Sequence, residues 1–179
     1  MKSQGDAQGS AGRIAVVIVI YRPVLQDLRS SLQALLGAHA TGILIEVTLW
    51  HNDPGPSETP GLDALTEELR AHGLPIRLHT ANRNLGFGQA VNAALPFIDA
   101  PWLLLLNQDA IPEPGAIESM ARVAAKDAPD VAAWELRQIP YEHPKDYDPV
   151  TGETGWCSGA AVLLRTAALK QVGGFEPRF

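Results

Sequence analysis

The residues placed to do chemistry are polar side chains that come directly after apolar runs. The first such set is Asn107-Gln108-Asp109, which succeeds the run Trp102 to Leu106 and precedes Pro112 and Pro114. An apolar run this short, bounded by polar residues and prolines, predicts a strand buried on both faces of a parallel sheet. Asp109 then stands just past the strand's carboxyl end, where open α/β sheets form their ligand crevice. A carboxylate delivered there by a rigid strand could hold a metal ion or a ligand hydroxyl. Alone, the same residues read more simply as the start of a turn, since Asn and Asp favour turns and the two prolines interrupt regular structure beyond them.

A second polar set, His51-Asn52-Asp53, comes after Ile43 to Trp50 and opens a loop through Pro54, Gly55 and Pro56. The third runs from Asn82 through Asn84, Gly86 and Gly88 to Asn92. Gly86 and Gly88 would let the backbone pass close to a ligand, and Ala90, Ala93 and Ala94 favour a helix beginning just after them. A helix N-terminus there would offer N–H groups to an anion. A dinucleotide fingerprint is the weaker reading, because the third glycine is missing and the first strand ends without glycines. A helix start with an asparagine cap and glycines for tight packing accounts for the stretch equally well. His143 and Asp146 suggest a metal pair, but no third ligand has suitable spacing, so Gln138 to Trp156, with Pro140, Pro144 and Pro149, is read as a solvated loop. Cys157 follows Trp156 and is expected to be an inert buried thiol.

The elements that must position these residues alternate. Ile14 to Ile20 is a β-branched strand; Val24 to Leu36 has helical spacing with Gly37 as its stop; Ile43 to Trp50 is a second strand. Leu62 to His72 is helical, and Ile76 to His79 is a third strand. Strand, helix, strand, helix, strand implies parallel strands joined by right-handed crossovers. Asn52 and Asp109 should therefore share one edge of an α/β sheet. Ala116 to Lys126 is a further helix, with Met120 on its core face, and Val131 to Trp134 a further strand. Met1 to Gly12 is rich in Gly, Ser and Gln and reads as a flexible leader.

With 179 residues, 46% hydrophobic and 19% charged, the chain has the makeup of one globular domain with a full core. A net charge of -6 argues against a general affinity for nucleic acid. One cysteine excludes an internal disulfide, no Cys and His cluster has zinc spacing, and Ile14 to Tyr21 is too short to span a membrane. These features fit a cytoplasmic protein, with peripheral attachment at the inner membrane left open.

Together, the strand ending in Tyr21, the strand ending in His51-Asn52, the Asn84-x-Gly86-x-Gly88-x-Ala90-x-Asn92 pattern and Leu106-Asn107-Gln108-Asp109 resemble the nucleotide-sugar half of inverting family 2 glycosyltransferases. The likeness is greatest to the rhamnosyltransferase-like members of bacterial polysaccharide assembly. Ser158-Gly159-Ala160 through Arg165, then Gly173-Gly174-Phe175-Glu176 and Phe179, is similar to the acceptor-side block of the same enzymes. The resemblance implies a GT-A fold, mainly a parallel sheet with helices on both faces, over residues 13–179. It implies a nucleoside diphosphate sugar as donor and a saccharide or lipid-linked acceptor. Tyr21, His51, Asn52, Asp53, Asn84, Gly86, Asn92, Asn107, Gln108 and Asp109 would surround the donor; Gly159, Phe175 and Glu176 would lie on the acceptor side. Asp109 would be the last carboxylate of a metal motif that holds Mg²⁺ or Mn²⁺ with the diphosphate.

Two departures bear on this. His51 stands where the family usually has an aspartate that reads the base, and Asn107 where many members have the first acid of the metal motif. The family's next block, an acidic pair that supplies the catalytic base, falls beyond the position of Phe179. The base is therefore unassigned, transfer by these residues alone is expected to be slow, and apolar surface near Val162, Leu163 and Phe175 is expected to be exposed and to favour a homo-oligomer. A degenerate relative that binds nucleotide without turnover, or a non-enzymatic α/β interaction module, are the alternatives.

Overall fold

The computed structural model of the protein describes residues 12–52 and 59–176, so the expected leader up to Ala11, and Asp53, lie outside the described residues. The elements in chain order are β1 (Arg13–Ile20), α1 (Leu25–Ala40), β2 (Leu44–His51), α2 (Leu62–Ala71), β3 (Ile76–Thr80), α3 (Phe87–Ala94), β4 (Trp102–Leu106), α4 (Ala116–Ala124), β5 (Ala133–Glu135), β6 (Ala161–Arg165) and α5 (Thr166–Gln171). The sheet order is β3-β2-β1-β4-β6-β5. β1 through β4 run parallel, and β6 is antiparallel to both of its neighbours. The chain winds outward from β1 to β3, then crosses to β4 on the other side of β1. That reversal opens a crevice between the carboxyl ends of β1 and β4, where doubly wound sheets bind ligands.

The strands read as continuous apolar runs because both faces are covered. Ile14, Val16, Ile18 and Ile20 join Leu28, Leu32 and Leu35 of α1, Leu65 and Leu69 of α2, and Ile117 and Met120 of α4 in one buried cluster. Ala15 and Val17 join Val91 and Ala94 of α3, with Leu95 and Ile98, in the other. Every residue of β4 is buried. Truncating a residue such as Leu104, which is fully buried, would cost about 2–5 kcal/mol. β4 is therefore a rigid support for the residues beyond it.

Several expectations are corrected. Gly37 does not stop α1, which continues to Ala40; the penalty for a helical glycine, about 1 kcal/mol, is outweighed by the packing of Leu35 and Ala38 on either side of it. The fifth strand is shifted to Ala133–Glu135 by its pairing with β6. β6, not expected as a strand, lies between β4 and β5, so Val162 and Leu163 are buried instead of exposed, and Phe175 is half-buried against the second cluster. Cys157 is exposed, because it lies in the irregular segment before β6 and not in the core. Its thiol is pushed up by partial desolvation and by Glu135. Residues 138–156 form a long connection, as read, but it is not simply solvated: the Lys145 side chain is only 2% exposed and is ion-paired to Glu135.

Candidate functional site

The carboxyl ends of β1, β2 and β4, together with the start of α3, surround an open cavity of about 390 Å³ lined by Val19, Tyr21, Asn52, Asn84, Gly86, Phe87, Asn107, Gln108 and Asp109. Asn52 and Asp109 thus share one sheet edge, as the alternation of elements requires. The cavity sits at the reversal of strand order, between Tyr21 after β1 and Asn107 to Asp109 after β4.

Side-chain amides hold its walls together. Gln108 Oε1 accepts the N–H of Tyr21 at 2.9 Å, and its Nε2 donates to the Tyr21 carbonyl at 3.1 Å. This extends the pairing of β1 and β4 beyond the sheet. Asn52, only 2% exposed, accepts the N–H of Leu85 at 2.9 Å and donates to Asn84 Oδ1 at 2.9 Å. Asn84 Oδ1 in turn accepts the N–H of Gly86 at 2.8 Å. Asn52 and Asn84 therefore shape the turn that leads into α3. Gly86, at φ 75° and ψ 170°, occupies a backbone region that is essentially glycine's alone, and it starts α3 without a side-chain cap. α3 thus begins at Phe87, earlier than expected, with Gly88 inside it.

The remaining expected residues have other surroundings. His51 is buried outside the cavity lining, with Nε2 3.4 Å from Thr59 Oγ1. Asn92 does not line the cavity; its amide accepts the N–H of Phe175 and donates to the Phe175 carbonyl, both at 2.7 Å. That clamp brings the acceptor-side segment against α3, where the rings of Phe87 and Phe175 meet edge to face with centroids 6.3 Å apart. Gly159 also faces Phe87: a β-carbon there would lie 3.9 Å from its ring. Glu176 comes next in an exposed position.

Two contributors were missed from the sequence. Phe87 lines the cavity and touches the acceptor-side segment; its signal was an aromatic residue between two glycines at a helix start. Ser31, fully buried on α1, donates to the Ala110 carbonyl at 2.7 Å and so pins the loop that carries Asp109. Its signal was a hydroxyl on the apolar stripe formed by Leu28, Leu32 and Leu35.

Asp109 and Asn107 are exposed at the cavity, and neither side chain has a hydrogen bond or ion pair among the described residues. A free carboxylate beside a free amide oxygen is a hard-oxygen donor set, which suits Mg²⁺ or Mn²⁺. Among the described residues no group of three His, Cys, Asp or Glu side chains could hold a metal. Phosphate oxygens and water would have to complete the coordination. No helix of the described residues is long and apolar enough to cross a membrane.

A family model described as glycosyl transferase family 2 matches residues 15–169. An N-acetylglucosaminyl-diphospho-decaprenol L-rhamnosyltransferase of Mycobacterium tuberculosis is 25% identical, over 58% of this chain and 48% of the relative. The mannosyltransferase PcManGT from Pyrobaculum calidifontis, in complex with GDP-Man and Mn2+, aligns with a TM-score of 0.65 at 15% identity, over 92% of this chain and 48% of its own. S. aureus TarS in complex with UDP aligns with a TM-score of 0.64 at 15% identity, over 93% and 51%. At these identities the structural likenesses show the fold alone, which is GT-A. The chain spans about half the length of the curated relatives it matches.

Proposed function

The chain belongs to glycosyl transferase family 2, and from that premise we propose that it binds a nucleoside diphosphate sugar in the cavity between β1 and β4, for transfer of the sugar to an acceptor hydroxyl with inversion. The observation that carries this reading is the free carboxylate of Asp109, held by a fully buried strand at the crevice where the strand order reverses. The name of the rhamnosyltransferase relative supports a lipid-linked acceptor, and a role in cell-surface polysaccharide synthesis fits that reading.

In this reading Tyr21 and the Asn84–Gly86 turn flank the nucleotide, and the uncapped start of α3 directs backbone N–H groups at its phosphates. Asp109, assisted by Asn107, would hold a divalent cation, which neutralises charge developing on the departing diphosphate. Phe87 and Phe175 exclude water on the acceptor side. Asp109 is the one carboxylate among the described lining residues. It cannot both ligate a cation and take the acceptor's proton, so in this reading the base is a group other than the described lining residues. General-base help of this kind is worth about 10²- to 10⁴-fold.

Calorimetric titration with UDP, GDP and dTDP, with and without Mn²⁺, tests the proposal. At least one should bind, with Mn²⁺ tightening it, and Asp109→Ala should abolish the Mn²⁺ effect while leaving thermal stability unchanged, since the side chain has no partner among the described residues to lose. Unchanged affinity and metal dependence in Asp109→Ala would remove the assigned role.

A further inference from the structure

The nine arginines among the described residues divide into two groups by what their guanidiniums meet. Arg13, Arg29, Arg70, Arg77 and Arg137 are ion-paired to Asp99, Glu68, Glu67, Glu46 and Glu142. Arg122 donates to Ser119, and Arg165 donates to the carbonyls of Val131 and Ala128. Arg22 and Arg83 have no hydrogen bond and no ion pair among the described residues. Both are exposed, and each adjoins a residue that lines the cavity, Tyr21 in one case and Asn84 in the other. In a chain of net charge -6, the two described arginines without a hydrogen bond or ion pair among the described residues are the sequence neighbours of residues that line the cavity at the crevice.

Arg22 carries a second signal. It is the only described residue other than glycine with positive φ, at 46°. A left-handed backbone is strained for a residue with a β-carbon, and such strain concentrates at ligand sites. A glycine would make this turn after β1 without strain, which marks Arg22 as a position where a side chain is kept at a backbone cost. The guanidinium lies 5.1 Å from the centroid of the Tyr21 ring, which fixes it beside the cavity wall.

We propose that Arg22, after β1, and Arg83, ahead of α3, take the charge of the donor's diphosphate. Nucleoside diphosphate binding then keeps a component that needs no divalent cation. Planar guanidiniums suit phosphate oxygens through paired N–H donors. A site with a single metal-holding carboxylate leaves diphosphate charge for other cations to meet. The proposal rests on the nucleotide-sugar reading of this cavity and adds to it the residues that bind the diphosphate.

The test is calorimetric titration in EDTA with UDP, GDP and dTDP and with the corresponding monophosphates, on the wild-type chain and on Arg22→Gln, Arg83→Gln, Arg22→Gly and Arg77→Gln. For the nucleotide that binds the wild type, Arg22→Gln and Arg83→Gln should each weaken the diphosphate about tenfold or more, with a smaller effect on the monophosphate. Arg77→Gln, at the opposite edge of the sheet, should bind as wild type. Arg22→Gly should lose affinity like Arg22→Gln yet melt no lower than it, because glycine tolerates the backbone. Equal affinity in both guanidinium variants, equal losses for mono- and diphosphate, or losses that track a fall in Tm would overturn the proposal. Wild-type binding only with Mn²⁺ would overturn it and leave the nucleotide-sugar reading standing; no binding under either condition would sink both.

Discussion

The side-chain amide of Gln108 bonds to both backbone polar atoms of Tyr21, 87 residues away, at 2.9 and 3.1 Å. It acts as one more rung between β1 and β4 where the strands have ended, and it sets the width of the crevice. Gln108→Glu keeps the acceptor but places a carboxylate against the Tyr21 carbonyl. The expected loss is about 1 kcal/mol of stability in urea unfolding, with weaker nucleoside diphosphate binding. Wild-type values for both would mean that Tyr21 is held by other contacts.

Asn92 repeats the device on Phe175, and Gly174 is its necessary neighbour. Gly174 has φ 89°, and a β-carbon there would come within 2.3 Å of Asn92 Oδ1. Gly174→Ala should destabilise by about 1–3 kcal/mol. Asn92→Ala removes the obstructing oxygen, so the double variant should be more stable than the sum of the two losses. Strict additivity in denaturant titrations would show that the backbone conformation accounts for the whole cost.

These amides also mark the limit of what the sequence makes legible. The strands and helices up to β4 are readable from β-branched runs and from helical spacing, and the placement of Asn52 and Asp109 on one edge from their alternation. β6 escaped because Ala161–Arg165 is a short run inside a longer apolar stretch, and its reversed direction depends on the connection of residues 138–156. Residue types show that Asn52, Asn92 and Gln108 are polar, but not whether their hydrogen bonds go to a ligand or to the backbone. That depends on contacts between residues 32 to 87 positions apart. Asp109, Arg22 and Arg83 stand out only once the committed groups are known.

The segment after β5 should loosen in acid. The Tyr147 hydroxyl and then Arg137 hold the Glu142 carboxyl below the usual carboxylate range, and backbone N–H groups of Thr151 and Val150 do the same for Asp148. A carboxyl depressed in the folded state adds stability above its unfolded pKa and loses it as pH falls through the folded value. Protection from hydrogen exchange across residues 138–156, relative to the intrinsic rate at each pH, should therefore fall below about pH 4, and Glu142→Gln should flatten that dependence. Protection independent of pH between 6 and 3 would contradict the assignment.

The same segment is organised around Lys145 and Glu135, whose side chains are 2% and 9% exposed. Lys145 also lies 4.0 Å from the centroid of the Trp156 ring, and Glu135 accepts the Tyr147 hydroxyl at 3.1 Å and the Ser158 N–H at 2.5 Å. Removing one partner of a buried pair strands the other charge, which typically costs about 3–5 kcal/mol. Lys145→Met should therefore destabilise by that amount, and adding Glu135→Gln should recover much of it, because the amide still accepts the Ser158 N–H and carries no charge. The consequence reaches the cavity, since the Ala160 carbonyl accepts the Asn107 N–H at 2.8 Å, next to the loop of Asp109. Lys145→Met should weaken Mn²⁺-dependent nucleotide binding, and the double variant should restore it in step with stability. A Lys145→Met chain within about 1 kcal/mol of wild type in urea unfolding would show that solvent screens the pair and that the segment is held by its other contacts.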